Sequence, residues 1–253
     1  MTEQKVILTL AVDVGQALLE NGAEIYRVEE TIRRIIEAYD YTDYNVFIFS
    51  NGIFADCGEA SDETDTIIRQ VKTGPLHLKK IKELNQLSRD ICSFNVSVPQ
   101  AREELNRCHD IGPYSDKIQA LACGVGCAGF IYIIGASPID CIFGFLIGAF
   151  LRDFTLLATR HNISGVLLNV GGSFLITLFS IFVVAFVYPV DLDMLIIGGI
   201  FALIPGTTFT TGIRDLFNAD YLSGWFHLID ALMGAAELAI GVGIAFYFFG
   251  SVL

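Results

Sequence analysis

A chain of 253 residues with 53% hydrophobic side chains and a formal net charge of −12 has no basic stripe to meet phosphates, so nucleic acid is excluded as a partner. The mean hydropathy of +0.56 conceals two unlike halves. Residues 1–117 hold 13 of the 16 Lys+Arg and 20 of the 28 Asp+Glu, whereas residues 118–253 keep only Arg152, Arg160 and Arg214 as cations. Half a chain without charged faces to meet water predicts an integral membrane protein: an α+β cytoplasmic domain over residues 1–115, then an all-α polytopic bundle of five transmembrane helices over 116–253. The opening MTEQKVILTL runs into an amphipathic pattern rather than an apolar core with a small-residue cleavage site, so the first domain is expected to remain in the cytoplasm.

In chain order, Ile7, Leu10, Ala11, Val14 and Leu18 form an apolar stripe that stops at Asn21–Gly22, and Ile25, Val28, Ile32, Ile35, Ile36 and Tyr39 form a second. The two predict an antiparallel helical hairpin. Its second member is braced by Glu29–Arg33 and Glu30–Arg34 at i,i+4 spacing. The period then changes. Tyr44–Ser50 and Ile53–Cys57 flank Asn51–Gly52, a strong hairpin signal, and 66–71 is a third candidate strand. Helices are expected over 76–93 and from Ser97, where Ser97-x-x-Gln100 is a capping-box pattern.

Five apolar stretches are long enough to cross about 30 Å of hydrocarbon: 118–136, 139–159, 165–187, 194–212 and 228–250. Arg160 and Arg214 fall in the loops on one side, and Asp140, Asp191 and Asp193 in the loops on the other. The cation bias predicts the N-terminus inside and the C-terminus outside. Gly144 and Gly148 make a GxxxG in a half rich in small residues, a composition that suits close helix packing.

Ionisable groups at lipid depth are costly and mark candidate functional positions. Arg152 and Asp153 lie in the second span, as a local ion pair, a gate or a neutralising pair at the inner mouth. Asp230 and Glu237 share a face of the fifth, Asp230 near the interface and Glu237 deeper, as a proton-coupling or substrate-pairing group. Asn169, Ser173, Thr177 and Ser180 form a polar stripe on the third span, fit either to glue helices or to line a path. The fourth span ends in Pro205-Gly206-Thr207-Thr208-Phe209-Thr210-Thr211-Gly212-Ile213-Arg214-Asp215. A Pro-Gly break at membrane depth frees backbone groups, and Thr207, Thr208, Thr211 and Arg214 are candidate substrate ligands beside it, with Asp215 a gating candidate. The six Cys contain no CxxC and read as packing residues; no metal site, cofactor or nucleophile motif is expected.

Leu18-Leu19-Glu20-Asn21-Gly22-Ala23-Glu24-Ile25-Tyr26-Arg27-Val28-Glu29-Glu30-Thr31 resembles the N-terminal signature of the threonine/serine exporter family. The stretch from Ile204-Pro205-Gly206 through Gly212-Ile213-Arg214-Asp215 to Asp220-Tyr221-Leu222-Ser223-Gly224 resembles its second signature. His227 and Asp230 stand where that pattern implies an Arg and a Glu. The resemblance implies the larger subunit of a split, two-chain exporter. Its partners would be the lipid bilayer, a smaller polytopic membrane subunit, a small carboxylate substrate (threonine, serine or a dicarboxylate such as succinate) and a possible homo-oligomeric copy. The rival reading is a cytoplasmic sensor or enzyme domain anchored by its spans.

Overall fold

A computed structural model describes residues 2–58, 64–72, 74 and 76–252, and divides the chain into two compact units, Met1–Pro113 and Tyr114–Leu253. The first unit opens with helix α1 (Glu3–Glu20), whose N-cap Thr2 accepts from the Lys5 amide. It stops at Asn21, and Gly22 takes the positive φ of 79° that the following turn requires. Helix α2 (Ile25–Ala38) packs on α1. Gly15 allows this crossing, because a Cβ there would come within 2.6 Å of Ile32 Cγ1. Strands β1 (Tyr44–Phe49), β2 (Gly52–Cys57) and β3 (Asp65–Gln70) form an antiparallel sheet in that order. Helices α3 (Leu78–Cys92) and α4 (Val98–His109) follow, with the Ser97–Gln100 capping box in place. Leu10, Ile32, Ile36, Ile53, Leu84 and Ile91 centre a core shared by helices and sheet. Cys57, Cys92 and Cys108 belong to it, and burial pushes all three thiols above their usual range, which suits packing residues.

The second unit begins with α5 (Asp116–Ile133), α6 (Pro138–Arg160) and α7 (Gly165–Phe186). The fourth expected span is divided into α8 (Leu192–Ile200) and α9 (Gly206–Phe217), with the break at 201–205. The last helix, α10 (Tyr221–Phe249), has 29 residues and begins seven before the expected 228, because Asp220 caps it by accepting from the Ser223 amide. Among the described residues, three helices are long and apolar enough to cross a membrane: α6, α7 and α10. α5 is an 18-residue helix whose first turn spends Asp116, Lys117 and Gln119 on polarity, and α8 and α9 are each too short to cross alone.

Packing in this unit is inverted relative to a water-soluble protein. Large apolar side chains such as Leu232, Met233, Phe186 and Ile133 point outward, while Ser173, Thr177 and Ser180 are fully buried. That arrangement suits lipid, where burying Leu gains nothing and small or polar residues bring helices together. The GxxxG seats α6 on α5: a Cβ at Gly148 would lie 2.8 Å from Cys123 O, and one at Gly144 would strike Ile131.

Asp140, read from the sequence as a loop charge, is buried and does structural work. Its carboxylate accepts from Ser137 N (2.9 Å) and Ser137 Oγ (2.6 Å) in a capping box, and from Asp191 N (2.9 Å) ahead of α8. It therefore ties the α5–α6 turn to the α7–α8 turn. Replacing Asp140 with Ala is expected to cost about 1–3 kcal/mol by stranding buried donors, read as a lowered unfolding midpoint in detergent. Asp193→Ala, at an exposed carboxylate, should stay within about 0.5 kcal/mol of wild type.

Candidate functional site

The polar stripe of α7 divides into two kinds of residue. Ser173, Thr177 and Ser180 are buried, and each hydroxyl donates to a carbonyl of its own helix: Ser173 to Asn169 O (2.8 Å), Thr177 to Ser173 O (2.9 Å) and Ser180 to Ile176 O (2.9 Å). These three are satisfied within α7. Asn169 alone among the four reaches out of the helix: its Nδ2 donates to Glu237 Oε2 of α10 at 2.7 Å, linking positions 68 residues apart. The bond ties α7 to α10 and holds the half-buried Glu237 carboxyl group in one orientation.

Two glycines on the same face of α10 make this approach possible. At Gly241, one turn beyond Glu237, a Cβ would run into Val170 O and Ser173 Oγ and lie 3.0 Å from Phe174 N. At Gly234, one turn before Glu237, a Cβ would sit 3.2 Å from Pro205 Cγ. The α8–α9 break thus abuts α10 next to the carboxylate. Pro205 occupies the N-cap position of α9. The face of α10 carrying Gly234, Glu237 and Gly241 therefore meets α7 on one side and a helix N-terminus on the other, where backbone amides and the helix dipole favour an anion.

From that point α9 runs back along the first half of α10. A Cβ at Gly212 would lie 3.1 Å from both Gly224 O and His227 Cβ, and one at Gly224 would meet Leu216. Asp215, buried, has its carboxylate 3.7 Å from His227 Nε2. The second signature stretch therefore builds a tight helical hairpin: Gly212, Asp215, Asp220, Ser223 and Gly224 are its joints. Thr208 and Thr211 are half-buried, Thr207 is exposed, and Arg214 is half-buried with its interactions inside the protein. Thr210, absent from the expected set, turns its hydroxyl back to Gly206 O and Thr207 O, both at 3.0 Å.

The other sequence candidates stand apart from this constellation. Arg152 donates to Gln119 of α5 and makes no ion pair with Asp153 among the described residues. Asp153 and Asp230 are both exposed; Asp230 lies one turn before Gly234, on the face of α10 that carries Glu237. Sequence reasoning missed the placement of Gln119, and read Gly234 and Gly241 as close-packing residues without joining them to Glu237. A small residue one turn to either side of a mid-helix carboxylate was the available signal for the glycines. The described residues bring no three His, Cys, Asp or Glu into a metal-holding group. The groups on offer are a carboxyl, a side-chain amide and the backbone amides of a helix N-terminus.

Comparison with known proteins agrees with this geometry. Residues 9–249 match the family described as "Putative threonine/serine exporter". A Mycobacterium tuberculosis (strain ATCC 25618 / H37Rv) protein named "Probable threonine/serine exporter" is 24% identical over 241 residues, covering 94% of this chain and 45% of the relative. The chain thus spans less than half the length of that relative. No solved structure matches. With nearly its whole length matched and three helices long and apolar enough to cross a membrane, the chain is a multi-pass membrane protein of a transporter family rather than an enzyme, and it belongs to the threonine/serine exporter family.

Proposed function

We propose that this chain forms the solute pathway of a secondary-active exporter of small carboxylate-bearing metabolites, with threonine and serine first and a dicarboxylate such as succinate second. The observation that carries the reading is the Asn169–Glu237 hydrogen bond beside the Pro205 break, a polar pair and an open helix end meeting on one face of α10. Such a break is tolerated where it lines a cavity, and its amides suit a substrate carboxylate. In this scheme Glu237 exchanges a proton, Asn169 orients it, and Thr207, Thr208, Thr211 and Arg214 guide the solute along α9. Asp215 and His227 brace the hairpin that holds them.

The chain crosses the membrane five times, with α8 and α9 together forming the fourth crossing. Supporting this, α6 ends where α5 begins, through an Arg160–Asp116 ion pair, and the loops bearing Asp140 and Asp191 meet at the other end. The loop cations favour an orientation with the N-terminal domain in the cytoplasm and the C-terminus outside. A smaller polytopic membrane subunit completes the exporter. The test is counterflow of labelled threonine, serine and succinate in liposomes, with and without the polypeptide encoded beside this one. Saturable exchange of at least one is expected, and no saturable flux of any of them would end the proposal.

A further inference from the structure

Helix α6 presents an outward stripe of Ile142, Leu146, Phe150 and Leu157, exposed by 61%, 46%, 49% and 55%. Such a stripe by itself suits lipid. Asp153 interrupts it, three residues after Phe150 and four before Leu157, on the same face and also exposed. It lies about 10 Å along the axis from the end of α6 at Arg160. A carboxylate has too short a stem to reach the headgroups from there, unlike Lys or Arg. Left facing acyl chains, it would cost at least a few kcal/mol.

Nothing among the described residues pairs with Asp153. Of the four Lys and Arg of this unit, Arg152 turns to Gln119, Arg160 to Asp116 and Arg214 is engaged within the protein, while Lys117 follows Asp116 at the Arg160 end of α6, about 10 Å along the axis from Asp153. A second copy of the chain would bring the same cations at the same depths, its Lys117 level with Arg160 rather than Asp153, and another outward carboxylate. The counter-group must therefore come from a different polypeptide segment, and the relative that this chain matches over 45% of its length has ample chain to supply one.

We propose that the Ile142–Leu157 face of α6 is an interface for a membrane-spanning helix that carries a lysine or arginine opposite Asp153. The occupant is thus a second, non-identical membrane segment: apolar along its seam, with one cation at the matching depth. Pairing the two charges removes the cost each would bear alone in lipid. The proposal rests on the membrane-spanning assignment of α6 and gives the expected partner a docking face.

The test uses the full chain in its native membrane, with a photocrosslinking benzoylphenylalanine in place of Leu157. The expected product joins it to a membrane-spanning segment with a Lys or Arg within one turn of the crosslinked residue. Asp153→Lys should lower the yield about tenfold or more, and changing the partner's cation to Asp in that background should restore it, whereas Asp153→Asn controls for folding. Adducts confined to lipid, to a second copy or to a segment without a cation would overturn the proposal, as would an unchanged yield in Asp153→Lys. The readout is a crosslink rather than flux. Loss of the crosslink with counterflow intact sinks the docking face alone, whereas absent counterflow with the crosslink intact sinks the transport reading alone.

Discussion

Glu237→Gln is expected to separate exchange from net export. The amide keeps an oxygen for Asn169 Nδ2 to bond, so the α7–α10 contact and solute binding survive, but the side chain no longer takes up or releases a proton. Counterflow of the transported solute should therefore stay within about twofold of wild type, while flux driven by a pH gradient should fall about a hundredfold, equivalent to ~2.7 kcal/mol. Glu237→Leu is the harsher change. It strands the Asn169 amide in a part-buried site at a cost of about 1–3 kcal/mol, so both activities should fall together with the detergent unfolding midpoint. Gradient-driven flux that is unaltered in Glu237→Gln would remove the proton role and leave the carboxylate as a structural partner of Asn169.

The second large effect is expected at Gly241. A side chain there meets the backbone of α7 at Val170 and Phe174, which has nowhere to retreat without separating the two helices. Gly241→Leu should cost about 3 kcal/mol or more by overpacking and should abolish flux by pulling Glu237 away from Asn169. Gly241→Ala should give a smaller loss of the same kind. Gly243→Ala is the control on the same helix, since a Cβ at Gly243 meets nothing within 4 Å. Thermal unfolding in detergent paired with counterflow would read both effects, and equal behaviour of the 241 and 243 variants would show that the tight crossing carries no weight.

What the sequence displayed well was everything written in neighbouring residues. The Asn51–Gly52 turn, the Asn21–Gly22 stop, the Ser97–Gln100 box and three of the five apolar stretches depend on spacings of a few positions, and each of these has its counterpart in the structure. The fourth stretch, 194–212, reads as one apolar run because hydropathy averages over Pro205, whose missing donor divides it into α8 and α9. The site was legible only as a set of unusual residues. Helical periodicity shows that Glu237 shares a face with Gly234 and Gly241, but not that this face meets Asn169 on α7 and Pro205 on the break. Arg152 and Asp153 show the same limit. Adjacent opposite charges suggest a local pair, yet successive helical positions point about 100° apart, and one turns to Gln119 while the other turns outward. Asp140 could have been found, since Ser137-x-x-Asp140 is itself a capping pattern.

At 1.5 Å per residue, the 29 residues of α10 extend about 43 Å, well beyond the roughly 30 Å of hydrocarbon. Tilting absorbs part of that mismatch, and the remainder protrudes as a collar at the headgroups. The end that can protrude without exposing a lone helix is the first two turns, which α9 already sheathes and which carry Tyr221, Trp225 and His227, side chains at home where water and lipid mix. With those turns outside, Glu237 sits near the bilayer midplane and Pro205 beside it. Bilayer thickness thereby sets the depth of the carboxylate, so thinner and thicker lipids should shift activity even though neither touches the site.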